Sequence, residues 1–369
     1  MTALRSFIHY REWLDTNGPL LISGPCGAES ETQVIETAKK IAEIPQVKLF
    51  RAGIWKPRTR PNSFEGAGEI ALSWLQTAKQ ETGLKTTVEV ANASHVEKAL
   101  KNNVDVLWIG ARTTVNPFSV QEIAEVLKGV DIPVMIKNPV HPDLQLWIGA
   151  IERIAQVGIK KIVAIHRGFY NPRQSDFRND PMWEIAIELR THFPELPVIT
   201  DPSHISGKKE KIQPVAQKAI DLGMDGLMIE SHIHPEEALS DSQQQLKPDD
   251  LKILLEKIVF RKSYSENQEI RDSLTDLRKI IDELDEEMLL ILKKRSDIIE
   301  KIGLFKKEHG ITIFQLERWM EILKTRTDSA IEKKFPKDFI EKLCQLMHEE
   351  SIRKQHEVMN TDKKLLGKK

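Results

Sequence analysis

Eight short apolar runs of this chain each end on, or lead into, a residue able to do chemistry. The run Leu20-Leu21-Ile22 opens into Ser23-Gly24-Pro25-Cys26-Gly27-Ala28-Glu29 and so delivers Cys26. VKLFRAG (47–53) leads to Lys56, Arg58 and Arg60, and KTTVEV (85–90) carries Glu89. VDVLWIG (104–110) leads to Arg112, IPVMIKN (132–138) holds Lys137, and KKIVAIHRG (160–168) holds His166 and Arg167. PVITDPSH (197–204) ends on Asp201 and His204, while DGLMIESH (225–232) ends on Glu230 and His232, with Asp241 in the loop beyond.

These residues sort into two sets. Lys56, Arg58, Arg112, Lys137 and Arg167 are cations. One such residue on a loop is ordinarily solvated charge, but five brought to one place repel unless an anion sits among them, and phosphates and carboxylates are what arginine grips with two parallel hydrogen bonds. Cys26, His204, Glu230 and Asp241 offer a thiolate, an imidazole and two carboxylates. A lone cysteine is more often inert packing, and a lone histidine or glutamate more often a structural partner. Together the four make a mixed site suited to manganese, iron, cobalt or zinc rather than calcium, and the residues leave open which.

The elements that must position these sets follow from spacing. Between the apolar runs lie helical segments such as 31–44 and 148–157. Strands alternating with helices imply a parallel sheet, and eight such units before residue 260 predict a TIM (β/α)8 barrel, whose chemistry gathers where strands end. An open doubly wound sheet is the second choice; it would normally carry a Gly-rich turn after the first strand, where Pro25 and Cys26 stand instead.

Beyond Arg261 the texture changes. Residues 261–268 are polar, and 269–309 run without proline, with apolar residues at Leu274, Leu277, Ile281, Leu284, Met288, Leu292, Ile298 and Ile302. That spacing predicts one helix roughly 60 Å long, which needs partner helices and a second copy of the chain to cover its stripe. Two shorter helices are expected near 316–327 and 337–359, making an all-α three-helix domain. The expected division is 1–260, a linker 261–268, and 269–369. With 369 residues, 30% charged and net charge −1, bulk charge argues against nucleic acid as a partner. Two cysteines make no disulfide framework, and no apolar run is long enough for a membrane span. The expected location is cytoplasmic, with no membrane partner.

Taken in order, SGPCGAE, AGIWKPRTRPNSFEG (52–66), IGAR (109–112), VMIKNP (134–139), HRG (166–168), DPSH (201–204) and GLMIESHIHPEEALSD (226–241) resemble the type I beta 3-deoxy-D-arabino-heptulosonate 7-phosphate (DAHP) synthases. The resemblance implies condensation of phosphoenolpyruvate with erythrose 4-phosphate, a metal (manganese first, then cobalt, iron or zinc) on Cys26, His204, Glu230 and Asp241, and phosphoenolpyruvate held by Arg112, Lys137 and Arg167. It further implies Lys56 as a proton relay, Arg58 and Thr59 on the aldose phosphate, and Glu89 as a positioner of water. Arg60, Val115 and His166 depart from the family pattern. The octulosonate 8-phosphate synthases, the nearest competitor, usually carry an Asn-containing loop where this chain has KPRT.

Residues 274–307 are similar to the first helix of AroQ-type chorismate mutases. That likeness implies a chorismate site from Arg295, Lys306, Arg318, Ser351 and Gln355, with Arg278 reaching into a partner's site across a homodimer. Arg295 and Lys306 are 11 residues apart and share a helix face, whereas Arg278 is about a quarter-turn away. Lys306 and Gln355 are the implied donors to the ether oxygen. Trp319 and Gln315 stand where relatives often have Glu and Asp. The whole reads as a bifunctional enzyme with feedback through the helical domain; the alternative is a helical domain that mainly regulates and dimerises.

Overall fold

The computed structural model describes residues 6–57, 63–172, 175–261 and 264–360. Arg58, Thr59 and Arg60, named above, lie outside the described residues. The chain divides into two compact units, Met1–Ser263 and Tyr264–Lys369.

In the first unit every apolar run becomes a strand: β1 Leu20–Gly24, β2 Val47–Arg51, β3 Lys85–Val90, β4 Val106–Ile109, β5 Val134–Lys137, β6 Ile162–His166, β7 Val198–Thr200 and β8 Gly226–Glu230. All neighbours pair in parallel, and β1 closes on β8 from Leu20↔Gly226 to Gly24↔Glu230. Closure rules out the doubly wound sheet. A helix follows each strand and packs outside it. Several begin on side-chain caps: Ser30 Oγ accepts from Gln33 N, Asn92 from His95 N, and Asp143 from Leu146 N, satisfying donors the first turn leaves free.

Alternation along the strands builds two cores. Leu107, Ile109, Leu227 and Ile229 face the helices, while Leu49, Trp108, Met135 and Met228 fill the barrel interior. Tyr10 closes the amino-terminal end, its Oη donating to Gly18 O at 3.0 Å. The same alternation places Arg51 above Leu49, Lys137 above Met135 and Glu230 above Met228. The row above the apolar layers is therefore charged and faces inward.

The second unit is three helices: Gln268–Glu308, Leu316–Glu332 and Lys337–Asn360. The middle helix runs five residues beyond its expected end. The long helix starts at Asn267, whose side chain accepts from Glu269 N and Ile270 N. Its later part packs on the last helix, whereas Leu277, Ile281, Leu284 and Ile291 are more than half exposed. Among the described residues no helix is long and apolar enough to cross a membrane.

Candidate active sites

Cys26 follows the end of β1 because the chain must turn there at close quarters. Gly24 has φ +147°, and a Cβ on it would lie 2.0 Å from Arg51 O, so no larger residue fits. The Cys26 amide donates to Gln245 Oε1 at 2.8 Å, and its Sγ lies 3.1 Å from Asp241 Oδ2. Donor atoms of Cys26, Glu230 and Asp241 all lie within 4.8 Å of one another. His204 stands beside them, its Nε2 3.7 Å from Glu230 Oε1 and its Nδ1 2.8 Å from Asp201 Oδ2. Three of the mixed set thus meet at the carboxyl end of the barrel, with His204 next to Glu230.

Their electrostatics fit a divalent transition ion. Burial, with Glu230 alongside, pushes the Cys26 thiol up to about 12, so the thiolate needs a cation to exist here. Burial holds His204 below the ordinary imidazole value, against the pull of Asp201 and Glu230. Despite burial, His204 and Arg51 hold Glu230 below the usual carboxylate range, and His204 and Arg178 do the same for Asp241. Glu230 Oε1 is buried without a hydrogen-bond partner. Sulfur, imidazole nitrogen and carboxylate oxygen together are a borderline donor set.

The cationic set assembles in part. Lys56 Nζ donates to Cys26 O and Ser240 Oγ, each at 3.0 Å, and also touches Cys26 Sγ. Lys137 Nζ pairs with Asp201 Oδ2 at 2.8 Å, both buried. Arg167 donates to Asn179 Oδ1 at 2.7 Å. Burial, with Arg178 and Arg112 nearby, lowers the Arg167 guanidinium to about 10, a sign that these cations crowd one space. Arg112 sits not at the strand end but on the short helix Ala111–Thr114, exposed. Glu89 faces inward and accepts from Trp108 Nε1 at 3.2 Å; a Cβ on Gly110 would meet its Oε1 at 1.9 Å.

Three participants escaped the sequence reading. Arg51 is buried between Glu230, whose Oε1 is 3.2 Å from its Nη2, and the Trp108 ring at 5.0 Å. Its Nε and Nη1 have no hydrogen-bond partner. Arg178 donates to Asp241 Oδ1 at 2.9 Å and to Gln244 Oε1 at 2.6 Å. Gln244 in turn donates to Glu230 Oε2 at 2.6 Å. Only Arg51 had a signal: it stands two residues after Leu49, in step with the inward face.

In the helical unit a cavity of about 560 Å³ is lined by Arg295, Lys306, Arg318, Ser351 and Gln355, with Trp319 and His348 on its wall. Lys306 donates to Ile313 O at 2.7 Å, and Gln355 Nε2 to Ser351 O at 3.1 Å; Gln355 Oε1 is buried and unpartnered. Trp319 stacks on His348 with ring centroids 4.1 Å apart. Gln315 also lines the cavity. Arg278 is not brought there; it is exposed on the long helix.

A parallel barrel with a mixed donor cluster and buried cations at its carboxyl end, followed by a cation-lined helical cavity, defines a two-site protein for small anionic ligands. The chain belongs to the DAHP synthetase I family, which residues 15–264 match; residues 277–356 match chorismate mutase type II. It is 31% identical over 226 residues to the phospho-2-dehydro-3-deoxyheptonate aldolase of Thermotoga maritima, a match covering 61% of this chain and 64% of that one. It is 28% identical over 254 residues to the 2-dehydro-3-deoxyphosphooctonate aldolase of Geotalea daltonii, covering 65% and 90%. The crystal structure of the Thermotoga maritima DAHP synthase superposes with a TM-score of 0.59 at 29% identity, covering 70% of each chain.

Burial lowers the pKa of Lys306 from the ordinary lysine value. Its charge is therefore lost at lower pH than a free lysine's as pH rises. Affinity of the helical cavity for a dicarboxylate is expected to fall with a midpoint below about 10.4, and Lys306→Arg to move that midpoint upward. Binding isotherms across alkaline pH check this; an identical fall in the arginine variant would assign it to another group.

Proposed function

We propose that the chain is a bifunctional shikimate-pathway enzyme. Residues 1–260 condense phosphoenolpyruvate with erythrose 4-phosphate to DAHP and phosphate, residues 261–268 link, and residues 269–369 rearrange chorismate to prephenate. Family membership supports the pairing of activities. The observation that carries the first is the grouping of Cys26, Glu230 and Asp241, with His204 next to Glu230, beside Lys137, Arg167 and Arg51 at one barrel mouth.

The residues divide the work. Lys137, Arg167 and Arg112 hold the phosphate and carboxylate of phosphoenolpyruvate, and the unpartnered Nε and Nη1 of Arg51 offer two further donors to an acceptor in the same space. Arg58 and Thr59 hold the aldose phosphate. C3 of phosphoenolpyruvate attacks the aldehyde carbon, water adds at C2, and phosphate leaves by C–O cleavage. Glu89 positions that water. Lys56 Nζ, at the cluster's edge, supplies the proton for the new hydroxyl. Cys26, His204, Glu230 and Asp241 would hold a divalent ion, manganese first among candidates, which when bound supplies Lewis-acid polarisation of the aldehyde oxygen. The KPRT stretch (56–59) favours the four-carbon aldose over the longer one that the octulosonate relatives' name implies.

Purified full-length protein is expected to consume phosphoenolpyruvate with erythrose 4-phosphate, to stop with EDTA and to recover with manganese, while Cys26→Ser loses at least about 100-fold in metal affinity or turnover. Consumption only with a longer phosphorylated aldose would reassign the substrate. Consumption untouched by EDTA would remove the metal from the site.

In the helical cavity the reaction needs no nucleophile. Arg295, Arg318 and Ser351 fix the carboxylates of the dianion, and Lys306 and Gln355 stabilise charge at the ether oxygen. A second reading, that this domain mainly binds a pathway product and restrains the barrel, is favoured by the Trp319–His348 stack occupying one wall. Arg295→Ala is expected to lower chorismate turnover by about 100-fold or more and to abolish inhibition of the synthase by prephenate. Inhibition surviving intact places the feedback site elsewhere.

Assembly follows from the long helix. Its exposed Leu277, Ile281, Leu284 and Ile291 form an apolar stripe that one copy leaves in water, and a second copy's long helix would cover it and carry Arg278 to the partner's cavity. Light scattering is expected to give a dimer, and Leu284→Glu a monomer; a monomeric wild-type chain would end this reading.

A further inference from the structure

Asp201 sits between the two sets of residues and belongs to neither. It follows β7, is fully buried, and caps the short helix Pro202–Ser206 by accepting from His204 N through Oδ1 at 3.0 Å. Its amide donates to His166 O at 2.7 Å, next to Arg167. Its other oxygen, Oδ2, is divided: Lys137 Nζ lies 2.8 Å away on one side and His204 Nδ1 2.8 Å away on the other. The opposite nitrogen of that ring, Nε2, looks toward Glu230.

We propose that Asp201 is a positioning residue that couples the barrel's two halves: a cation on His204 Nε2 and an anion on Lys137 each strengthen the other through the shared oxygen. The proposal rests on the metal-and-phosphate reading given above. His204 Nδ1 is within ion-pair distance of Oδ2 but makes no aligned hydrogen bond; a cation at Nε2 makes Nδ1–H more acidic and draws it into a bond with Oδ2. The oxygen's charge is drawn from Lys137, whose ammonium is then freer to meet a phosphate. In reverse, an anion that engages Lys137 releases Oδ2 to the imidazole, and a ring bonded to a full carboxylate is a better ligand. Linkage requires the two effects to be equal in free energy. A purely structural capping role predicts no such coupling.

The test uses metal-stripped full-length protein titrated with cobalt(II), read by the thiolate-to-cobalt absorption band, with and without inorganic phosphate. In the unaltered protein phosphate is expected to tighten cobalt at least about fivefold. Asp201→Asn keeps a side chain able to cap the helix but removes the shared charge. It is expected to bind cobalt about 10- to 100-fold more weakly and to lose the phosphate effect, with Asp201→Glu recovering part of both. A second measurement needs no variant of Asp201: in 15N-histidine-labelled, metal-free protein, phosphate should move the His204 Nδ1–H resonance downfield. A cobalt band whose phosphate response is unchanged in Asp201→Asn, or a resonance that phosphate leaves in place, overturns the coupling alone. Absence of any thiolate band in the unaltered protein overturns the metal reading and the coupling with it.

Discussion

Glu230, fully buried at the end of β8, is the charge around which the barrel mouth is organised. Removing a carboxylate from water costs several kcal/mol, and a partner repays it only when geometry and further hydrogen bonds are good. Arg51 supplies the counter-charge at 3.2 Å, and Gln244 the hydrogen bond at 2.6 Å. Arg51 is equally committed: with Glu230 and the face of Trp108 holding its guanidinium, its remaining nitrogens stay unpartnered. Buried polar groups are normally satisfied, so orphan donors and a carboxylate oxygen without a hydrogen bond, gathered in one place, mark a surface whose remaining partners come from ligands.

That charged row is also why the site and the fold cannot be separated. Alternation puts every second strand residue inward, and the barrel simply changes chemistry at the top row, from Leu49, Met135 and Met228 to Arg51, Lys137 and Glu230. A slip of one residue in any strand would turn its charge out among the helix-facing apolar side chains and a large apolar residue in toward the ligand. Gly24, whose positive φ and contact with Arg51 O leave no room for a Cβ, fixes where β1 stops and so where Cys26 hangs.

The strands were legible because β-branched runs bounded by turn residues have few other readings, and Cys26, Lys137, His204 and Glu230 stood out as polar residues closing apolar runs. Arg51 did not, because VKLFRAG holds two cations, and its place two residues after Leu49 separates it from the half-buried Lys48 only once Leu49 is known to fill the interior. Arg178 and Gln244 carry no local pattern: they are 66 residues apart and meet only when the loops after β6 and β8 fold over the same mouth. Arg112 was expected at a strand end and lies instead one short turn beyond it, since the extended Gly110 starts a new helix there. In the helical unit, spacing alone grouped Arg295 with Lys306, but bringing Ser351 and Gln355 opposite them required the last helix to fold back along the first.

The two sites hold their cations by different means. At the barrel mouth Lys137 and Arg51 are neutralised by the protein's own carboxylates, so an incoming anion competes with Asp201 and Glu230 for them. In the helical cavity Lys306 is held by the carbonyl of Ile313 and Arg295 by that of Met347, dipoles that orient a charge without cancelling it. A cavity of that kind keeps its cations' charge available to an anion. Trp319 shifts the balance further: where an acidic side chain would place negative charge and an acceptor, an indole stacked on His348 supplies an apolar wall. On the reading proposed above, capture of a dianion gains from the missing charge while orientation of a hydroxyl that needed the acceptor loses, which weighs toward a sensor of pathway product and against a catalyst.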